Sequence, residues 1–121
     1  MLQSYSMLKV ADNSGALQIR VIQPSGGKHS VVRLGDTVTA TVKSARPVGQ
    51  AKKGQVVKAL IIRQRNPFKR PDGTTIRFSD NAAILISADG VMIGSRVSGP
   101  VAKEVRDKGF LKVAQLAKEV I

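Results

Sequence analysis

The chain has 121 residues and a net charge of +12 at pH 7, with 42% hydrophobic residues and no cysteine. This length supports one domain with its own core, and the lack of cysteine excludes disulfides and thiolate metal sites. Such a charge favours nucleic acid or an anionic membrane as partner. No membrane is expected, because the chain has no apolar span of about 18 residues and its 3% of aromatic residues supply few anchors for a membrane-surface helix.

The N-terminal residues 1–12 contain one lysine and no arginine, without a charged start followed by a long apolar stretch. A cleavable secretory signal or an arginine-rich transit peptide is therefore not expected.

An apolar–polar alternation of period two predicts several short strands. It runs through residues 17–21, 37–43 and 76–79, and denser apolar runs occupy residues 56–62, 83–86 and 91–97. Turn sequences such as Asn13-Ser14-Gly15 and Pro71-Asp72-Gly73 separate the runs. Strands at roughly ten-residue spacing are typical of a closed barrel or a compact sandwich.

The C-terminal residues 99–121 change to a helical period. Pro100 is predicted at the first position of a short helix that Gly109 ends. A second helix is predicted to bury Phe110, Val113, Ala114 and Ala117 and to expose Lys112, Gln115 and Glu119. The prediction is a single, mainly β domain, with a small barrel at about residues 1–98 and a C-terminal helical part at about residues 99–121.

Residues 59–85 are the most informative window, because two apolar runs flank a turn-rich basic segment. Between positions 63 and 77 there is one acid, Asp72, and five cations: Arg63, Arg65, Lys69, Arg70 and Arg77. Crowded cations repel one another unless an anion is present, which predicts a β-hairpin extension that binds phosphate. Further RNA-binding candidates on other segments are Lys28, Lys43, Arg46, Lys52 and Lys53.

No catalytic, metal or cofactor site is expected. The single histidine, His29, follows Gly26-Gly27-Lys28 in a predicted loop, and the eight acids are dispersed along the chain. The Gly26-Gly27 pair lacks the spacing of a phosphate-binding loop.

The scarcity of aromatic residues favours backbone recognition of folded RNA over stacking of single-stranded bases. Phe78 and Phe110 fall in apolar patterns, which leaves Phe68 as the one ring predicted at the surface. A free-standing RNA- or DNA-binding barrel, such as a translation factor domain, remains the alternative to a component of a larger ribonucleoprotein.

The same window resembles the diagnostic pattern of the L-fourteen family of large-subunit ribosomal proteins. That pattern begins with a small residue and three aliphatics, here Ala59-Leu60-Ile61-Ile62, followed after nine residues by an Asp-Gly turn, here Asp72-Gly73. It ends with an aromatic residue, an asparagine and an aliphatic pair, here Phe78, Asn81 and Ile84-Leu85. Further family landmarks are residues 10–16, Gly35-Asp36, Lys52-Lys53-Gly54 and Gly99-Pro100-Val101.

The resemblance implies a five-stranded barrel bound to large-subunit ribosomal RNA (rRNA) and to neighbouring large-subunit proteins, without enzymatic activity. It also implies a surface that faces the small subunit and bridges to its rRNA, formed here by Ser95, Arg96, Lys112 and Gln115. In bacteria and organelles this surface docks a ribosome-silencing factor, although Gln115 departs from the small hydroxyl residue typical of its position. The expected location is a ribosome in a bacterial cytoplasm or an organelle matrix.

Overall fold

The computed structural model describes residues 2–3, 7–24, 31–47 and 49–121. Its strands are β1 (Leu2–Gln3), β2 (Met7–Val10), β3 (Ala16–Pro24), β4 (Val31–Val32), β5 (Thr37–Ala45), β6 (Val56–Arg63), β7 (Phe68–Lys69), β8 (Thr75–Ile76) and β9 (Ala82–Ile86), and its helices are α1 (Lys103–Asp107) and α2 (Leu111–Leu116). Strands β2, β3, β5, β6 and β9 form a closed barrel, while β1–β4 and β7–β8 form two-stranded sheets. The predicted fold class is confirmed.

The barrel is antiparallel except where β2 pairs with β9 in parallel and closes it. The predicted alternation holds in β5, where Val38, Ala40 and Val42 are fully buried in the barrel interior. Burying a valine side chain stabilises a fold by about 1.5–3 kcal/mol, so this row contributes substantially to the core. Closure also removes the exposed strand edges that would otherwise pair with other chains.

The alternation fails at the beginning of β3. Leu17 and Gln18 are both exposed, because the pairing with β5 shifts register around Gln18. Ile19 and Val21 then return to the barrel interior. An irregularity of this kind re-aims a side chain, and here it leaves Leu17 40% exposed.

Asp12 ties the β2–β3 turn to β9 near the parallel pair. One carboxylate oxygen accepts hydrogen bonds from the backbone N–H (3.1 Å) and hydroxyl (2.6 Å) of Ser14. The other accepts the backbone N–H of Leu85 at 2.9 Å. The Asp12-Asn13-Ser14-Gly15 segment is therefore a structural turn, as its sequence indicates.

Strand β9 and the second half of β6, from Ala59 onward, are buried on both faces. Ala59 and Ile61 point into the barrel core, whereas Leu60 and Ile62 belong to a second buried cluster. That second cluster also contains Val97, Val101, Val105 and Val113 from the C-terminal part of the chain. The C-terminal segment thus covers the outer face of β6 and β9, which explains the dense apolar runs in those strands.

Two details of the predicted C-terminal half are wrong. The run 91–97 forms isolated bridges at Met92 and Val97 instead of a strand. Helix α1 begins at Lys103, three residues after Pro100. The reason is that Val101 pairs with the end of the chain, through Glu119 and Ile121, and the N–H of Ala102 donates to the carbonyl of Ile62.

Arg63 fixes this C-terminal segment on the barrel. It is only 6% exposed, and its Nη1 donates to the carbonyls of Ser98 (2.8 Å) and Pro100 (3.1 Å). Its Nε lies 3.0 Å from the carboxylate of Asp80 as an ion pair, although that N–H is not aimed at the oxygen. Arg63, one of the five cations predicted to bind phosphate on the hairpin, is therefore turned inward and held by the protein itself.

Arg70 makes a second link between the hairpin and the C-terminal segment. Its Nε and Nη2 donate to the two carboxylate oxygens of Glu104 at 3.0 and 2.9 Å, and Nη2 also donates to the carbonyl of Ile121 at 2.6 Å. The guanidinium also lies over the ring of Phe68, 5.5 Å from its centroid. Two of the five hairpin cations, Arg63 and Arg70, thus have acidic partners, supplied by Asp80 and Glu104 from outside the predicted cluster.

Substitution of Gly99 tests how closely the Arg63 guanidinium is packed against the segment from Ser98 to Pro100. Its φ is +78°, and a Cβ at this position would lie 2.2 Å from Nη1 of Arg63. Gly109 has a φ of +100° and open space around it, so it controls for backbone strain alone. We expect Gly109→Ala to cost about 1–2 kcal/mol of unfolding free energy, and Gly99→Ala about 3 kcal/mol more, because the buried guanidinium is displaced from its partners. Equal losses in chemical denaturation would show that Arg63 is not closely held.

Candidate nucleic-acid interface

The cations predicted on the hairpin divide into two groups. Arg63 and Arg70 are held by intramolecular contacts, whereas Arg65, Lys69 and Arg77 are exposed. None of these three forms an ion pair with another described residue. A phosphate that approaches the hairpin therefore meets the second group first.

Arg65 and Arg77 line one shallow, open depression with a volume of ≈ 550 Å³, together with Asn66, Pro67 and Asn81. The Arg65 guanidinium is anchored because Nε and Nη2 both donate to the carbonyl of Ser79, at 3.1 and 3.0 Å. Its remaining N–H groups stay available. Two guanidinium groups around one concavity suit bidentate contacts to phosphate oxygens.

The tip of the hairpin is a turn stabilised by Asp72. Its carboxylate accepts the Thr74 hydroxyl at 2.6 Å and the Thr74 backbone N–H at 3.0 Å. These two hydrogen bonds, the hydroxyl first, lower the pKa of Asp72 below its usual value. The acid of the hairpin thus stabilises the turn, and it forms no ion pair with the described cations beside it.

The second basic element lies around the end of β5 and the start of β6. Lys43, Arg46, Lys52 and Lys53 are all exposed. The loop that carries the two adjacent lysines is a tight turn, since the Gly54 N–H donates to the Val42 carbonyl at 2.8 Å and the Gln55 side chain accepts the Lys52 N–H at 3.1 Å. Both lysines therefore project from an ordered turn.

One cation that the sequence did not single out is brought to this element by the fold. Lys9 and Arg46 line one open cavity of ≈ 680 Å³, because the Arg46 N–H donates to the carbonyl of Gly15 at 2.8 Å and draws the β5 end toward the β2–β3 turn. The sequence contained no signal for this pairing, which arises from barrel closure between distant segments.

Asn13 holds the Ser95–Arg96 loop in place. Its side-chain oxygen accepts the N–H groups of Ser95 (2.7 Å) and Arg96 (3.2 Å), and its amide nitrogen donates to the Ser95 hydroxyl at 3.0 Å. Ser95 and Arg96 themselves are exposed. The loop predicted to face another molecule is therefore presented in one fixed conformation.

Helix α2 supplies the other predicted interface residues. Lys112 and Gln115 are exposed, as expected, and Val113 is buried in the second cluster. Leu111 is 58% exposed and Leu116 is 38% exposed beside them, although the sequence pattern did not mark either as a surface residue. The outer face of α2 is therefore partly apolar, as in many protein–protein contacts.

Lys28, the remaining candidate, lies outside the described residues. Within the described ranges no group of three potential metal ligands occurs. None of the helices described is long and apolar enough to cross a membrane.

Comparisons with known proteins agree with the sequence pattern over the full length. Residues 1–121 match the family described as Ribosomal protein L14p/L23e. The chain is 54% identical to "Large ribosomal subunit protein uL14" of Petrotoga mobilis over 121 residues, which cover 99% of each chain. It is 49% identical to the protein of the same name from Aquifex aeolicus over the whole of both chains. The chain belongs to the L14p/L23e family of ribosomal proteins.

Proposed function

We propose that this chain is a structural component of the large ribosomal subunit that holds folded rRNA through backbone phosphates. The observation that carries this proposal is the set of seven predicted cations that remain exposed and outside the described ion pairs: Lys43, Arg46, Lys52, Lys53, Arg65, Lys69 and Arg77. Full-length relatives named as large-subunit proteins support a ribosomal role over a free-standing nucleic-acid-binding barrel. Because those relatives are bacterial, the proposed location is a ribosome in a bacterial cytoplasm.

Phosphate contact is the chemistry that these groups support best. Lysine and arginine each release condensed counterions when they neutralise a phosphate, which makes binding steeply dependent on salt. The hairpin and the Lys52–Lys53 turn are separate ordered elements, so they suit contacts to different parts of a folded RNA. In this proposal Arg63 and Arg70 act indirectly, by holding the hairpin and the C-terminal segment in place.

The second part of the proposal concerns the surface formed by Ser95, Arg96, Lys112 and Gln115. We assign this surface to the small-subunit side, where Arg96 and Lys112 contact small-subunit rRNA. Both elements adjoin the second buried cluster, through Val97 and Val113, so one rigid layer supports them. The exposed Leu111 and Leu116 beside Lys112 give the same surface the apolar area that a silencing factor needs for docking.

Reversing the charge of the Lys52–Lys53 turn tests the rRNA contact. In the double variant Lys52→Glu/Lys53→Glu, binding to large-subunit rRNA should weaken, and the slope of log K against log salt should flatten by about two, one for each lost phosphate contact. Filter binding over a series of KCl concentrations measures both quantities. The matched control is Lys58→Glu/Lys118→Glu, which changes net charge equally at two exposed lysines outside the predicted set. An unchanged slope, or an equal change in the control, would contradict the assignment.

Three variants test the proposed subunit face. Arg96→Glu and Lys112→Glu should leave incorporation into large subunits intact while slowing their association with small subunits. Asn13→Ala should slow association as well, even though it removes no charge, because it releases the Ser95–Arg96 loop. Light scattering on purified mutant subunits gives the association rate, with Lys118→Glu as the control on the C-terminal segment. Failure of large-subunit assembly before any effect on association would mean that the surface is wrongly assigned.

A further inference from the structure

A cavity of ≈ 430 Å³ lies between the hairpin, α1 and the segment that follows β4. Leu34, Pro67 and Phe68 give it apolar walls. Phe68, the ring predicted at the surface, is half-buried: it packs on the barrel core, lies under the Arg70 guanidinium and lines the cavity. Its volume and mostly apolar lining with a few polar groups are those of sites for small organic ligands.

The charged residues around this cavity carry an excess of positive charge. Glu104 is already paired with Arg70, and Lys108 is paired with Asp36. Arg33 and Lys69 line the same cavity, are exposed, and have no ion-pair partner among the described residues. An anionic group on a ligand would therefore be attracted to the rim and would not displace an existing ion pair.

Gln64 is the polar group in the cavity wall. It is 2% exposed, and its Nε2 donates to the carbonyl of Asn66 at 2.9 Å. Its Oε1 is enclosed and has no hydrogen-bond partner. An enclosed acceptor without a donor destabilises the folded state. Rotation of the amide toward the cavity would let Oε1 accept a ligand N–H, at the expense of the contact with Asn66.

We propose that this cavity binds one nucleotide, with the base against Phe68, an N–H of the base donated to Oε1 of Gln64, and the phosphate at Arg33 and Lys69. A nucleotide combines the three properties that the cavity complements: a flat ring, N–H donors on its edge and an anion a short distance away. An acidic peptide would use the cationic rim, and its backbone N–H groups would serve Oε1 of Gln64, but it would bring no flat ring to the wall formed by Phe68. This inference deepens the proposed RNA contact by adding a single base to recognition of the backbone.

The test uses the full chain with the four nucleoside 5′-monophosphates as probes and NMR signals of Leu34, Phe68 and the Gln64 side-chain amide as readout. We expect saturable shifts at these three residues, and binding about tenfold weaker for ribose 5-phosphate, which lacks the base. Phe68→Leu, which keeps an apolar side chain but removes the ring, should weaken nucleotide binding about tenfold. Lys69→Gln should weaken it as well, whereas Lys58→Gln at a distant exposed position should have no effect.

A short single-stranded RNA distinguishes the two sources of a nucleotide. Tighter binding of the RNA than of the monophosphates at the same signals identifies a nucleotide of an RNA strand, and the reverse order identifies a free mononucleotide. The proposal is overturned if the cavity signals do not shift, if ribose 5-phosphate binds as tightly as the monophosphates, or if an acidic peptide alone produces the shifts. The variants at Lys52 and Lys53 leave this cavity intact, so the backbone contact and the base site fail independently.

Discussion

The buried guanidinium of Arg63 is the contact on which the arrangement of this molecule depends. A buried arginine is stable only when it is paired and hydrogen-bonded, and here Asp80 and the carbonyls of Ser98 and Pro100 supply the partners. Those two carbonyls flank Gly99, whose missing side chain leaves room for the guanidinium. The chain is thereby fixed at the point where it leaves the barrel and begins to cover β6 and β9.

The α2 surface, the hairpin and the cavity beside Phe68 are all connected to that attachment. Once the C-terminal segment lies on β6 and β9, Val105 and Val113 complete the second cluster and α2 presents Lys112 outward. Glu104 reaches Arg70 and joins α1 to the hairpin, so α1 also becomes one wall of the cavity beside Phe68. The buried cations thus organise the protein, and the exposed ones are left to meet phosphate. Because Arg63 and Arg70 are paired with Asp80 and Glu104, the repulsion among the hairpin cations is reduced, although the chain has a net charge of +12.

The strands, the hairpin turn and the existence of two C-terminal helices follow from local patterns in the sequence, which is why they were predictable, whereas closure of the barrel depends on the distant pair β2–β9. Alternation in β5 and the Asp72-Gly73 turn act over a few residues, and the structure has both where expected. The burial of Arg63 and Arg70 could not be predicted, since their partners lie 17 to 51 residues away in the chain. The same holds for the Lys9–Arg46 cavity and for Asn13, whose contacts with Ser95 and Arg96 span more than 80 positions. The net charge follows from the composition alone, but the tertiary contacts determine which cations remain exposed.

The distances between rRNA phosphate oxygens and each basic side chain, taken from a structure of the intact large subunit that contains this chain, show which cations bind RNA. We expect phosphate oxygens within about 4 Å of Lys52, Lys53, Lys69 and Arg77, the usual limit for an ion pair. We expect no phosphate at the Arg63 guanidinium, which should keep its contacts with Asp80, Ser98 and Pro100. A phosphate bound to Arg63, with the C-terminal segment released from β6, would mean that Arg63 is an RNA ligand and not the residue that holds this segment.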